Sequence, residues 1–248
     1  MLRAGSGPAV LCVPGFADST TSWRPLVAAL DGQFDVIVVD LPGFGASPAS
    51  REPVSIARLA RTVADLVRRH CDDQVTLVGH SLGSVIAVGA AQQLGARCSG
   101  LMSFEGNLTP EDAYFSGQAA DHDDPVEFKR AFSARVDRLV AQGHAPSSYA
   151  DSVRGADAET MWTLGRDARV RGADGGFGAA YLGLRIRTRY FWASSTTPPA
   201  TQRYLAQHTI AERQLPYQHH WPWSDTPDAV ARLVAEFIDD SSEPATAR

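Results

Sequence analysis

The sequence predicts an α/β fold in which a mostly parallel central sheet of about six strands carries helices on both faces. Short runs of β-forming residues alternate with longer stretches of helical periodicity, which is the pattern of βαβ units. Residues 9–13 and 35–39 are apolar almost throughout, as expected of strands that are buried on both faces. A serine between two glycines, at residues 79–83, joins a third such run directly to a helical stretch.

The elements follow in regular order as far as residue 105. Strands are predicted at residues 9–13, 35–39, 75–78 and 100–104, and helices at residues 22–30, 55–70 and 82–94. In the second of these helices the apolar residues recur at helical spacing with arginines between them. Only eight residues precede the first buried strand, so we expect either an edge remnant of an N-terminal hairpin at residues 2–6 or a true start further upstream.

The alternation breaks between residues 106 and 187. This stretch has helical patterns, clearest at residues 128–139, but no convincing apolar strand, and residues 174–183 suggest a loop or a broken helix. Regular order then returns, with strands at 188–193 and 212–215 and helices at 200–207 and 227–238. We therefore predict a core of residues 1–105 and 188–248, and a helical cap, or lid, at 106–187.

Composition and charge narrow the possible partners. The chain has 248 residues and a net charge of −5, without the basic footprint that nucleic-acid binding normally leaves. The longest apolar run is too short to span a bilayer, and the N-terminus lacks the apolar region of a signal peptide. Cys12, Cys71 and Cys98 have no pairing or metal-ligand spacing. We expect a cytoplasmic protein with reduced thiols, no metal, and no nucleic-acid or membrane partner.

Ser81 is the first candidate for chemistry. A Gly-x-Ser-x-Gly match alone is weak, since a chain of this length contains one by chance on the order of one time in ten. Here, however, the match follows a buried strand and opens a helix, and open α/β sheets bind ligands at the carboxyl ends of their strands. Gly79 and Gly83 would relieve crowding at the strained turn that exposes the hydroxyl. The alternative is a tight turn in which serine is merely small.

Four segments, in this order, resemble motifs of the α/β-hydrolase superfamily. VLCVPGF at residues 10–16 is similar to the strand and loop that contribute half of its oxyanion hole. VVDLPGFGASP at 38–48 matches its Asp-x-Pro-Gly-x-Gly-x-Ser signature, and GHSLG at 79–83 is a common form of its nucleophile elbow. HWPWSDTP at 220–227 is similar to its C-terminal His-Phe-Pro segment. Only the insertion matches no known motif.

This resemblance implies that Ser81 is the nucleophile, that His220 is the general base, and that the backbone amides of Phe16 and Leu82 are the oxyanion donors. The residue types suit the chemistry, because a serine hydroxyl is inert at its free pKa and an imidazole must accept its proton. His219 is the competing base. We prefer His220 because the spacing to the following proline places it at the position of the family's histidine.

The position of the carboxylate that would orient the histidine departs from the usual pattern of the family. The family normally carries it after the strand predicted at 188–193, but residues 190–211 contain no Asp or Glu. A minority of the superfamily carries it one strand earlier, where this chain has Glu105. We therefore predict Glu105 as the acid. Asp112 and Asp18 are the weaker candidates, and Asp225 is expected to help begin the last helix.

Together these features predict a serine hydrolase without cofactor that cleaves a small acyl substrate (an ester, thioester or lactone) through an acyl-enzyme. A C–C bond hydrolase of a diketone, with the same triad, and a non-catalytic ligand-binding protein remain open. Asn107 and Trp221 are candidate substrate-binding residues. About half of the insertion's aromatic residues are expected to form its own core. The arginines of the insertion are matched in number by acidic residues, so we infer no anionic substrate. The sequence leaves the oligomeric state open.

Overall fold

A computed structural model describes residues 1–30, 32–217 and 219–240 of the chain. They form one sheet of seven strands in the order β1-β3-β2-β4-β5-β6-β7. The strands are β1 (Leu2–Ala4), β2 (Ala9–Val13), β3 (Asp35–Val38), β4 (Val75–His80), β5 (Cys98–Phe104), β6 (Arg187–Trp192) and β7 (Glu212–Gln214). Only β1 runs antiparallel to its neighbour, β3; every other pair is parallel. The predicted fold class is confirmed.

The seventh strand is the short edge element that the sequence only suggested. Three residues, Leu2–Ala4, pair with β3 and cover its outer edge. The Arg3 guanidinium also binds the carboxylate of Asp35 on β3, with nitrogen–oxygen distances of 2.6 and 2.8 Å. A three-residue strand carries too little apolar periodicity to be counted from sequence, which explains the expected number of about six.

Ten α-helices are present in the described residues: α1 (Thr20–Leu30), α2 (Ile56–His70), α3 (Leu82–Leu94), α4 (Pro125–Ala141), α5 (Ser147–Gly155), α6 (Ala158–Gly172), α7 (Gly176–Leu182), α8 (Pro199–Gln207), α9 (Pro222–Asp225) and α10 (Pro227–Asp239). Helices α2 and α3 pack together on one face of the sheet, and α1 packs with α9 and α10 on the other. None of the helices in the described ranges is both long and apolar enough to cross a bilayer.

The centre of the sheet is apolar on both faces because both carry helices. Every residue of β4 is buried, and β2 and β5 pair with it on either side. On the α1 face the Trp23 and Trp223 rings lie 4.1 Å apart and are fully buried. Burying aromatic surface of this size contributes much of a core's stability. The carboxyl end of β4 is therefore held on a rigid platform.

The stretch between β5 and β6 contains helices α4 to α7 and two 3₁₀ helices, Pro110–Tyr114 and Ser116–Asp121. Strand β6 begins at Arg187, one residue before its predicted start, and residues 176–182 form a regular helix where a loop or broken helix was expected. This stretch packs directly on the rest of the chain. The Ser19 and Ser152 hydroxyls lie 2.7 Å apart, and Asp157 N–H donates to Gly43 C=O at 2.8 Å.

Candidate active site

Backbone strain marks one place in the molecule. Within the described ranges, only three residues other than glycine have a positive φ: Ala17 (55°), Ser81 (52°) and Glu105 (47°). They lie just beyond the carboxyl ends of β2, β4 and β5, three neighbouring strands. Such conformations are costly for residues with a Cβ and cluster at functional sites.

The turn at Ser81 requires its two flanking glycines. A Cβ at Gly83 would lie 2.2 Å from Val13 O, and one at Gly79 would lie 2.5 Å from Ser84 Cα. No side chain fits at either position without moving backbone. The turn is held by a hydrogen bond of 2.9 Å from Ser81 N–H to Phe104 O. Packing of strand against helix therefore enforces the elbow, and it leaves the Ser81 side chain on the wall of a cavity.

Glu105 and His220 are in direct contact although they are 115 residues apart. The Glu105 Oε2 atom lies 2.8 Å from His220 Nδ1, and the Thr196 hydroxyl donates to Oε1 at 2.7 Å. Since a carboxylate can only accept, Nδ1 carries the proton and Nε2 is left as the accepting nitrogen. No hydrogen bond to Nε2 is found in the described parts of the chain. His220 and Ser81 line the same cavity.

The Ser81 hydroxyl makes no hydrogen bond to any residue that the structure describes. Hydrogen bonds between nucleophile and base are often long in unliganded enzymes and tighten when substrate binds.

His219, the competing base, has both ring nitrogens engaged. Its Nδ1 accepts from Trp221 N–H at 3.3 Å, and its Nε2 is bonded to Asp225 Oδ2. An imidazole held in this way has no accepting nitrogen to offer a serine. Asp225 ends α9 and pairs with His219 instead of helping to begin the last helix, whose N-cap is Thr226.

His80, within the elbow, contacts the histidine segment through its backbone. Its Nε2 lies 2.8 Å from the His220 carbonyl oxygen, so that nitrogen is the donor. Burial lowers the pKa of His80 well below its ordinary value, and the ring stays neutral. This bond connects the turn at Ser81 to the main chain of His220.

The Phe16 loop lies against the serine. A Cβ added to Gly15 would come within 3.2 Å of Ser81 Cβ. No hydrogen bond from Phe16 N–H or Leu82 N–H to a described residue is found, so both donors are available. The Phe16 carbonyl, in contrast, accepts from the Tyr149 hydroxyl of α5 at 2.9 Å. A residue from the stretch between β5 and β6 therefore holds the loop beside Ser81.

The two weaker acid candidates have other partners. Asp18 accepts from the Ser22 hydroxyl at 2.8 Å and from Trp221 Nε1 at 3.2 Å, and burial raises its pKa to about 6. Asp112 accepts from Leu108 N–H and Thr109 N–H at 2.8 Å each, and burial raises its pKa as well. Glu105 is the carboxylate that contacts His220.

The cavity above the strand ends has a volume of about 740 Å³. Asn107 and Trp221, the candidate substrate-binding residues, are both on its wall and largely buried. Three of the insertion's aromatic residues also line it: Tyr114, Phe115 and Tyr149. No cluster of three or more possible metal ligands occurs within the described ranges.

Three residues that line the cavity were not predicted from the sequence as part of the site: Thr196, Tyr149 in its bond to the backbone of Phe16, and Arg135. The first two left no local signal, since their contacts span 91 and 133 residues. Arg135 could have been found. It lies on α4 three residues after Phe132 and four before Leu139, and is thus a cation on a stripe that is otherwise apolar.

Comparison with known proteins gives the family. The family model described as alpha/beta hydrolase fold matches residues 8–182, well over half of the chain. An uncharacterized protein of Mycobacterium tuberculosis is 42% identical over 90 residues, 36% of this chain and 26% of that protein. A pimeloyl-[acyl-carrier protein] methyl ester esterase of Aeromonas hydrophila is 37% identical over 86 residues, 34% of this chain and 32% of that protein.

The matched segment thus spans less than a third of the length of these curated relatives. Among solved structures, the enol-lactonase of Burkholderia xenovorans superimposes with a TM-score of 0.76 and 19% identity, over 96% of this chain and 95% of that one. At this identity the likeness concerns the fold alone. With the family match covering most of the core, the chain belongs to the α/β hydrolase fold family.

Proposed function

We propose that this protein is a serine hydrolase that cleaves a carboxylic ester, thioester or lactone through an acyl-enzyme on Ser81. One observation carries the proposal: Glu105 Oε2 lies 2.8 Å from His220 Nδ1, and His220 lines the same cavity as Ser81. A histidine fixed by a carboxylate, beside a serine on a strained turn, is the arrangement that activates a hydroxyl.

In the first half-reaction the Ser81 oxygen attacks the acyl carbon while its proton passes to His220 Nε2. The C–O or C–S bond to the leaving group then breaks, and the leaving group takes that proton from Nε2. In the second half-reaction a water molecule gives a proton to Nε2 and attacks the acyl carbon. The bond from that carbon to the Ser81 oxygen then breaks, the acid is released, and the Ser81 oxygen takes the proton from Nε2. Glu105 holds the Nδ1 proton throughout and stabilises the imidazolium.

The negative charge on the acyl oxygen needs donors that are already in place. In our proposal these are the N–H groups of Phe16 and Leu82, the second at the N-terminus of α3, where the helix dipole adds to the effect. Both groups lack a partner in the described part of the protein. The bond from Tyr149 to the Phe16 carbonyl supports the role by fixing the loop.

We further propose that residues 106–187 act as a cap over this site and restrict the access of water. The stretch supplies Tyr114, Phe115 and Tyr149 to the cavity wall. Helix α5 and the N-cap residue of α6 form hydrogen bonds to the loops that follow β2 and β3. Covering a reactive acyl-enzyme limits side reactions and shapes the acyl pocket. The names of its relatives, a methyl ester esterase and an enol-lactonase, favour an ester or lactone.

Covalent labelling tests the proposal. A fluorophosphonate probe should label the wild type, and Ser81→Ala should abolish both labelling and the hydrolysis of p-nitrophenyl esters. Ser194→Ala is the matched control, because Ser194 lines the same cavity. It should keep both. If the folded wild type is not labelled, Ser81 is not activated, and a ligand-binding role on the same fold would replace the proposal.

A further inference from the structure

We propose that Arg135 forms an anion-binding subsite in this cavity, so that the preferred substrate carries a carboxylate in addition to the bond that is cleaved. The reaction in this inference rests on the proposed function. The anion-binding subsite is argued separately, from the surroundings of Arg135. Arg135 lies on α4, on the insertion's side of the cavity.

The position of Arg135 on its helix is unusual for a charged residue. The buried face of α4 consists of Phe128, Phe132 and Val136. Arg135 shares this face and reaches the cavity wall together with Leu139. Arginines are normally found at the surface, and one on an apolar stripe needs compensating partners.

No such anionic partner exists in the described parts of the chain. Arg135 forms no ion pair there, and its Nη1 atom is buried without a hydrogen-bond acceptor. Its recorded partners are aromatic: the guanidinium carbon lies 4.7 Å from the centre of the Phe115 ring and 6.0 Å from that of Tyr114. Stacking of this kind orients a guanidinium. No hydrogen bond from Arg135 Nε or Nη2 to a described residue is found, so these two donors remain for a ligand.

Two other arginines of the insertion do form ion pairs. Arg154 pairs with Asp137 and Asp151, and Arg171 pairs with Asp167, at nitrogen–oxygen distances of 2.6 to 3.0 Å. Counting charges along the sequence assigned every arginine an acidic match and therefore predicted no anionic substrate. Counting does not show where each charge lies: these two exposed arginines have acidic partners, whereas Arg135 lines the cavity without one among the described residues.

The carboxylates that line the same cavity are already committed. Glu105 binds His220 and Thr196, Asp18 binds Ser22 and Trp221, and Asp112 binds two backbone N–H groups and Thr201. None of the recorded bonds of these three acids goes to Arg135. The cavity is therefore lined by a cation for which the described residues provide no counter-ion.

A carboxylate on the ligand would satisfy this cation. The planar guanidinium fork matches a carboxylate with two parallel N–H···O bonds, and a charge-assisted bond of this kind is stronger than one between neutral groups. The class of substrate implied is an ester, thioester or lactone of a dicarboxylic acid in which the second acid group is free. Such a molecule fits within a cavity of about 740 Å³.

A matched pair of substrates tests the inference. The p-nitrophenyl half-ester of adipic acid carries a free carboxylate that is poorly placed to attack its own ester, whereas its methyl ester is neutral and nearly the same size. For the wild type we expect kcat/KM to be at least about 10-fold higher with the acid. Arg135→Met should lower kcat/KM for the acid by about 10- to 100-fold, the effect of losing one charge-assisted bond, and change it for the neutral ester less than about 3-fold.

Arg138→Met is the control variant, since Arg138 is exposed on the same helix and is absent from the cavity wall. It should behave like the wild type. Arg135→Lys should retain part of the preference, because it keeps the charge but loses the fork, and it covers the case in which the Met variant fails to fold. Equal loss with both substrates in Arg135→Met, or no preference in the wild type, would overturn the inference.

A binding measurement separates this inference from the proposed function. In the Ser81→Ala background, calorimetry should show tighter binding of monomethyl glutarate than of dimethyl glutarate, by about 10-fold or more, and the added Arg135→Met change should remove the difference. The measurement needs no turnover. If the wild type hydrolyses esters but Ser81→Ala binds the two glutarates equally, the subsite is refuted and the hydrolase is not. If Ser81→Ala prefers monomethyl glutarate but the fluorophosphonate does not label the wild type, the hydrolase is refuted and the subsite is not.

Discussion

Replacing Glu105 by Gln tests the part of the site where this chain departs from the usual pattern of its family. The substitution keeps the size of the side chain and the backbone at φ 47°, and it removes one negative charge from beside His220. Attraction between unit charges about 4 Å apart, at an effective dielectric constant near 20, is about 4 kcal/mol. That stabilisation is felt when His220 becomes an imidazolium. Since each ~1.36 kcal/mol is a factor of ten, kcat should fall about 10³-fold.

The amide that Glu105→Gln introduces can also turn its NH₂ group toward His220, and the structure allows this. The Thr196 hydroxyl now donates to Glu105 Oε1, and it would equally donate to an amide oxygen at that place. The NH₂ group would then face Nδ1 and force the proton onto Nε2, which could no longer accept from Ser81. The loss would then approach about 10⁴-fold, the cost of the wrong tautomer.

The assay is steady-state hydrolysis of a p-nitrophenyl ester, with thermal unfolding measured on the same samples. The control is Glu127→Gln on α4, because Glu127 is exposed and lies outside the cavity. It should retain full activity. A folded Glu105→Gln variant with a loss smaller than about 10-fold would refute the assignment of Glu105 as the orienting acid.

Two further predictions concern residues around this centre. Tyr149→Phe removes the hydroxyl that donates to the Phe16 carbonyl, and losing one buried hydrogen bond of about 1 kcal/mol should lower kcat by roughly 5- to 10-fold, with little change in KM. Tyr204→Phe, at a partly exposed ring stacked on His208, should leave kcat unchanged; equal rates in the two variants would contradict the anchoring role. Burial raises the pKa of Asp18 to about 6, above the value of 3.8 expected in the unfolded chain, so its contribution to stability is lost as pH rises from about 4 to about 6. In urea titrations the free energy of unfolding of the wild type, relative to that of Asp18→Asn, should fall by about 3 kcal/mol over that pH range. If the difference between the two free energies does not vary with pH, the pKa of Asp18 is not raised.

The sequence alone determined the fold class, the main strands and helices and the place of the elbow, because these depend on local periodicity and turn chemistry. Residues 75–80 form a continuous buried strand that ends at Ser81, and the glycines at 79 and 83 are needed by local packing that any such turn must have. Glu105 could be nominated from sequence because the usual position of the acid is empty. Its role and that of His220 stay predictions until the variants are measured.

Only the tertiary structure decided which distant side chains meet in the cavity. Thr196 reaches Glu105 because β5 and β6, which they follow, are neighbours in the sheet. Tyr149 reaches Phe16, and Arg135 lines the cavity without a counter-ion among the described residues, because the stretch between β5 and β6 folds back onto the strand ends. Contacts across 91 and 133 residues leave no periodic trace in the chain. Charge counting cannot show which arginine is exposed and which lines the cavity, because that depends on how the helices between β5 and β6 pack on the rest of the chain.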